Sequence, residues 1–111
     1  MSTVPTLPGI QSQMVQTNRL NVHVLSCGPV DGTPVIFVHG NVSSATYWEE
    51  TMLALPDGFR GIAVDLRGYG DTEPLPINGA TGMADFAADV HSVVETMGLG
   101  KHHIVGHSMG G

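Results

Sequence analysis

Short apolar runs alternate along the chain with polar stretches punctuated by glycine and proline, and the spacing of the apolar positions shifts from one segment to the next. Residues 1 to 12 show no period, and Pro5, Pro8 and Gly9 break them further; we set a flexible tail at 1–13 and an incomplete domain at 14–111. From Met14 to Gly28 the stretch MVQTNRLNVHVLSCG holds two β-prone runs on either side of Asn18 and Arg19, which predicts an antiparallel hairpin. The turn cluster GPVDGTP follows. Val35-Ile36-Phe37-Val38 is then apolar without alternation, as a strand covered on both faces is.

Beyond His39 and Gly40 a polar loop leads into a helix over roughly Thr46 to Leu55, stopped by Pro56, Asp57 and Gly58. Gly61 to Leu66 reads as a second buried strand, and RGYGDTEPLPING as loop. Met83, Phe86, Val90, Val93, Val94 and Met97 recur at helical spacing, with Gly98 as the stop. Lys101 to His107 makes a last strand that runs straight into Ser108. From Val35 onward the order is therefore strand, helix, strand, helix, strand. This predicts an α/β fold, a β-hairpin followed by right-handed parallel βαβαβ units.

Composition narrows the class without changing that picture. With 111 residues, 41% of them hydrophobic, and a mean hydropathy of +0.12, the chain is at most one globular domain. Its net charge is −6, and the four basic residues (Arg19, Arg60, Arg67 and Lys101) are too scattered to form a patch for nucleic acid. Cys27 is the only cysteine, so no internal disulfide can form. No basic segment followed by an apolar one opens the chain, and no apolar run reaches membrane-spanning length, so the expectation is a cytoplasmic protein with no membrane partner.

Candidate chemistry concentrates at the last strand. Gly106-His107-Ser108-Met109-Gly110 has the form G-x-S-x-G directly after an apolar strand, the pattern of a nucleophile elbow. In so tight a turn the positions two before and two after the serine approach each other, which suits Gly106 and Gly110. The Met109 amide would then face the oxygen of a carbonyl under attack. A second glycine-bearing strand end, His39-Gly40-Asn41, lies upstream where another amide donor belongs. His102 and His103 point to opposite faces of a strand and cannot share an ion, and no Cys or His pair has zinc-like spacing, so no metal is expected. Gly68-Tyr69-Gly70 is too short for a dinucleotide loop and GKHH lacks the phosphate-loop hydroxyl, so no cofactor is expected either. His23 and His91 are explained by strand and helix-rim positions, and His107 by packing.

VIFVHGN at 35–41, VDLRGYGDTEP at 64–74, DFAADVHSVVETMGLG at 85–100 and HIVGHSMGG at 103–111 together resemble the N-terminal part of an α/β-hydrolase-fold protein. The resemblance covers nearly everything after residue 14. By position it implies Ser108 as nucleophile, and Asn41 and Met109 as backbone donors of an oxyanion hole. It implies support from His39 and Gly40, and a structural turn at Asp65, Arg67, Gly68 and Gly70. Relatives that open epoxides or displace halide use aspartate as nucleophile, so Ser108 counts against both, although HGN also resembles the dehalogenase loop.

The family order places an acid and then a histidine after the serine. The chain therefore reads as a fragment truncated at the elbow, catalytically silent by itself and poorly stable, from a serine hydrolase. The small acyl substrates implied are esters, lactones or their kin. Alternatives are a haloperoxidase-like or carbon–carbon bond hydrolase parent, and a non-catalytic binding protein that keeps the elbow as scaffold.

Overall fold

In the computed structural model, residues 6–40, 43–75 and 82–107 are described. Five strands form one mixed sheet: β1 (Gln11–Gln16), β2 (Asn21–Cys27), β3 (Thr33–Val38), β4 (Phe59–Val64) and β5 (His103–Gly106). Their order across the sheet is β1-β2-β4-β3-β5. The hairpin β1–β2 is antiparallel, β2 runs antiparallel to β4, and β3 is parallel to both of its neighbours, β4 and β5. Between β3 and β4 a 3-10 turn, Ala45–Trp48, continues into the short helix α1 (Glu49–Leu53). The long helix α2 (Gly82–Met97) joins β4 to β5.

Both faces of the central strands are covered, which is why VIFV does not alternate. Ile36, Val38, Ile62, Val64, Val22 and Val24 point to one side and pack with Val93 and Val94 of α2. Val35, Phe37, Ala63 and Leu25 point to the other and meet Ala45, Trp48 and Met52. The neighbouring residues of each strand thus divide between two cores, as the period of two requires.

Several boundaries differ from the sequence reading: β3 and β4 start two residues earlier, β5 is shorter at both ends, and three further differences have a visible cause. β1 begins at Gln11, not Met14, and Ile10 before it is buried. Hydropathy misses this start because Gln11 and Gln13 are exposed, while the ladder still pairs Gln11 with Ser26. β4 ends at Val64, since the Asp65 side chain binds main-chain amides of two neighbouring loops and takes the chain out of the sheet. The predicted helix over 46–55 is half 3-10, with no side-chain cap at Ser44, and Glu49 spends its carboxylate on the Leu7 amide at 3.0 Å.

A buried ion cluster ties the hairpin to α2. The Asp89 carboxylate takes both forks of the Arg67 guanidinium, at 2.9 and 2.8 Å, and Nε of Arg19 at 2.8 Å. Arg67 and Asp89 are buried, whereas the Arg19 side chain is 32% exposed. β5 is different in kind. Its four residues are all exposed, Ile104 by 57%, and an apolar groove of about 390 Å³ runs between it and α2, lined among others by Val38, Phe86, Val90 and Ile104. No helix among the described residues is long and apolar enough to cross a membrane.

Removing Asp89 takes two charge-assisted bonds from the buried Arg67 guanidinium, so Asp89→Ala should cost about 3 kcal/mol of unfolding free energy. Arg19→Ala, on the solvent side of the same cluster, should cost less than about 1 kcal/mol. Urea unfolding of the two variants checks this; equal losses would show that the burial difference does not set the energetics.

Candidate active site

Parallel pairing decides where the chemistry can sit. Val38 is in register with Val64 on one side and Gly106 on the other, so β3, β4 and β5 end together. The segments leaving them start with His39-Gly40, Asp65-Leu66 and His107. The His107 amide donates to the Val38 carbonyl at 3.2 Å, which keeps the last and first of these segments side by side. Gly106 is the final residue of β5 and Gly40 is buried just past β3. Asn41, Ser108, Met109 and Gly110 lie outside the described residues.

His39 is fully buried. Its Nδ1–H donates to the Gly40 carbonyl at 2.7 Å, and its Nε2 accepts the Leu66 amide at 2.9 Å. The ring meets Tyr69 edge-on, with centroids 5.1 Å apart. With both nitrogens occupied by main chain, His39 shapes the turn and has no free lone pair for a substrate proton. His107 is exposed and stacks on Tyr47 at 5.3 Å between centroids, in keeping with a packing role.

Asp65 is the hub of the carboxyl edge. Oδ1 accepts the Ala45 amide at 2.7 Å; Oδ2 accepts the Asp71 amide at 3.0 Å and Nδ1–H of His23 at 2.6 Å. Burial pushes its carboxyl up, but the bonds from His23, Ala45 and Asp71 together outweigh burial and hold it below the ordinary carboxylate value. Gly70 has φ +52°, and a Cβ there would run into the Asp65 carboxylate, so the turn from 65 to 70 requires glycine at this point.

One arrangement escaped the sequence reading. His23 Nε2 lies 2.7 Å from Ser12 Oγ, which gives Ser12, His23 and Asp65 the connectivity of a catalytic triad. Ser12, however, sits inside an extended strand and not on a strand-to-helix turn, so it lacks the geometry that lifts an elbow serine and aims the next amide. The available signal was the strand NVHVL itself: a polar ring in the middle of a strand buried on both faces must find partners.

Among the described residues no three His, Cys, Asp or Glu side chains come together as metal ligands would. Burial pushes the Cys27 thiol up, away from the reactive thiolate.

Parallel strands whose polar, glycine-rich ends meet at one carboxyl edge define an α/β scaffold of the class whose ligand sites lie at that edge. Comparison with known proteins agrees and is more specific. The family described as alpha/beta hydrolase fold matches residues 33–111, and the chain belongs to it. What is described here is the N-terminal part of that fold.

Epoxide hydrolase 2 of Siraitia grosvenorii is 33% identical over 91% of this chain and 32% of its own length. A non-heme chloroperoxidase of Streptomyces lividans is 41% identical over 82% of the chain and 33% of its own. Carboxylesterase YbfK of Bacillus subtilis is 32% identical over 87% of the chain and 32% of its own. The crystal structure of epoxide hydrolase VrEH1 from Vigna radiata superposes with a TM-score of 0.81 at 33% identity, covering 92% of this chain and 33% of that one. The chain thus spans about a third of the length of these relatives.

Asp65→Asn should lower stability at neutral pH by about 2 kcal/mol, through loss of charge-assisted bonds in a buried site. Because the folded carboxyl is held below its ordinary value, its contribution is fully present above about pH 4 and fades as pH falls through the lowered value. The gap between wild type and Asp65→Asn in urea should therefore narrow as pH drops below about 4. A gap that is constant from pH 7 to pH 2.5, in urea titrations at each pH, would show that the carboxylate is not the stabilising form.

Proposed function

We propose that this chain carries the nucleophile and the oxyanion loop of a serine hydrolase acting on small acyl compounds, esters or lactones. The observation that supports it most is the side-by-side exit of β3 and β5, held by the His107–Val38 bond, which makes neighbours of the strand ends that precede Asn41 and Ser108 in sequence. On this reading the Ser108 hydroxyl attacks the acyl carbon, and the amides of Asn41 and Met109 receive the negative charge that develops on oxygen. A histidine base takes the serine proton, passes it to the leaving alcohol, and later deprotonates the water that frees the acid. In the order the resemblance implies, that histidine and its acid follow the serine, so the reaction needs residues beyond the 111 of this chain. We place the protein in the cytoplasm, with no resident cofactor.

Relatives with three different printed activities share this scaffold, so the residue at the elbow is the best discriminator among them. Serine at 108 favours the carboxylesterase chemistry over epoxide opening, for which the resemblance implies aspartate. A chloroperoxidase-like activity would use the same serine and is separated only by substrate.

In a version of the protein extended to the length of its relatives, a fluorophosphonate probe should label Ser108, and Ser108→Ala should abolish both labelling and hydrolysis of short activated esters. The 111-residue chain should show no turnover above its own Ser108→Ala control. Labelling that persists in Ser108→Ala would mean another nucleophile.

The oxyanion assignment has its own test. Asn41→Ala keeps the amide and should be tolerated, whereas Asn41→Pro deletes it and should cost on the order of 10²–10³ in kcat. Circular dichroism checks that the proline variant folds. Equal damage from both substitutions would assign the role to the Asn41 side chain.

A further inference from the structure

The segment 39–45, which includes Asn41, is tied at its two ends to adjacent residues. His39 at its start accepts the Leu66 amide, and Ala45 at its end donates to Asp65 Oδ1. Which way the Asp65 carboxylate faces therefore sets where the far end of this segment is held. A carboxylate can rotate about its last bond, and here two donors to Oδ2 oppose that rotation: the Asp71 amide at 3.0 Å and, closer, His23 Nδ1–H at 2.6 Å. A ring nitrogen facing a carboxylate must carry the proton, so Nδ1 is the donor to Asp65. On the other side of the ring Ser12 Oγ lies 2.7 Å from Nε2, and a hydroxyl can pair with that nitrogen whether it carries a proton or not. Without that hydroxyl, a fully buried ring nitrogen has no partner, and the ring that serves Asp65 loses its far anchor.

His23 is itself fixed by its backbone. Its amide donates to Thr72 Oγ1 at 2.9 Å, its carbonyl accepts the Asp65 amide at 3.0 Å, and the Thr72 hydroxyl donates to the Asp65 carbonyl at 2.6 Å. The ring thus has a rigid base and two polar contacts pointing in opposite directions along one line. The chain of contacts begins on the edge strand β1, crosses β2, and reaches Asp65 just after β4; the Oδ1 of that carboxylate takes the Ala45 amide.

We infer that Ser12 and His23 are positioning residues: through the Asp65 carboxylate they hold the far end of the segment 39–45, at Ala45. Its bearing on activity rests on the reading of Asn41, within that segment, as an oxyanion donor, and its structural half stands on the relay alone. Ser12 touches no substrate in this scheme; it acts by anchoring the His23 ring.

Four variants divide the possibilities. Ser12→Ala removes the terminal donor, and Ser12→Thr keeps it. His23→Asn retains a nitrogen donor at the Nδ1 position, and His23→Leu removes both nitrogens. Site-resolved hydrogen exchange on the chain should show the Ala45 and Asp71 amides exchanging about tenfold faster in Ser12→Ala, with the Ile36 and Phe37 amides of β3 unchanged. Ser12→Thr should return the two loop amides to within about twofold of wild type. His23→Asn should protect Ala45 better than His23→Leu; should the leucine variant not fold, the two Ser12 variants still decide.

In the extended version of the protein, Ser12→Ala should lower kcat for an activated ester about tenfold with KM nearly unchanged, and Ser12→Thr should recover it. Unchanged Ala45 exchange in Ser12→Ala overturns the relay. Acceleration spread equally over β3 overturns it too, since that is general loosening. Local acceleration with full kcat overturns the link to Asn41. A wild type with no Ser108-dependent turnover would defeat the serine-hydrolase reading instead, while the exchange of Ala45 would still decide the relay.

Discussion

The Asp65 carboxylate is the interaction on which the functional edge of this protein depends. It ends β4, receives amides from the loop after β3 and from its own downstream turn, and draws in the imidazole of a residue in β2. A buried carboxylate is costly unless its lone pairs are filled, and here three donors fill them. The same requirement makes the surroundings inflexible: Gly70 has to be glycine, His23 has to face Asp65 with Nδ1, and the chain at Ala45 has to return to β4. One charge therefore coordinates two loops and the strand β2, whose His23 lies 42 residues away in sequence.

Much of the fold was legible because the hydrophobic signal and the topology agree. VIFV is uninterrupted because its alternate residues enter two separate cores, and the helical stripe on α2 is the other half of one of them. What the sequence could not show follows from the same physics. Gln11 to Gln13 join a strand through main-chain pairing while their side chains remain largely in water, so hydropathy has nothing to register. Leu66 looks like the last apolar residue of a strand, yet the preceding carboxylate takes the backbone out of the ladder.

The candidate site was legible in part, and the boundary is informative. Gly106, His39 and Gly40 lie at the strand ends where the sequence puts them, while the elbow itself lies outside the described residues. The roles of Ser12 and His23 were not legible, since a serine in a polar edge strand and a histidine among valines carry no period or spacing. Only the demand that a buried ring be satisfied marks His23, and that demand does not say which partners answer it. Long-range polar pairings of this sort, with Ser12 and His23 reaching Asp65 across the sheet, are set by topology and become visible only once strand order is known.

The arrangement also suggests why relatives with different activities can keep one scaffold. The Asp65 hub and the buried His39 brace backbone through main-chain groups, and the Arg67–Asp89 cluster ties the hairpin to α2. None of these bonds uses the side chain at position 108, so the bracing is indifferent to whether serine or aspartate stands there. On the reading proposed above, chemistry changes at position 108 and in the base that serves it, while the ends of the 39–45 segment stay where the carboxyl edge puts them. On that reading substrate class is a property of residues laid over this edge, and the geometry beneath them is held by a buried carboxylate.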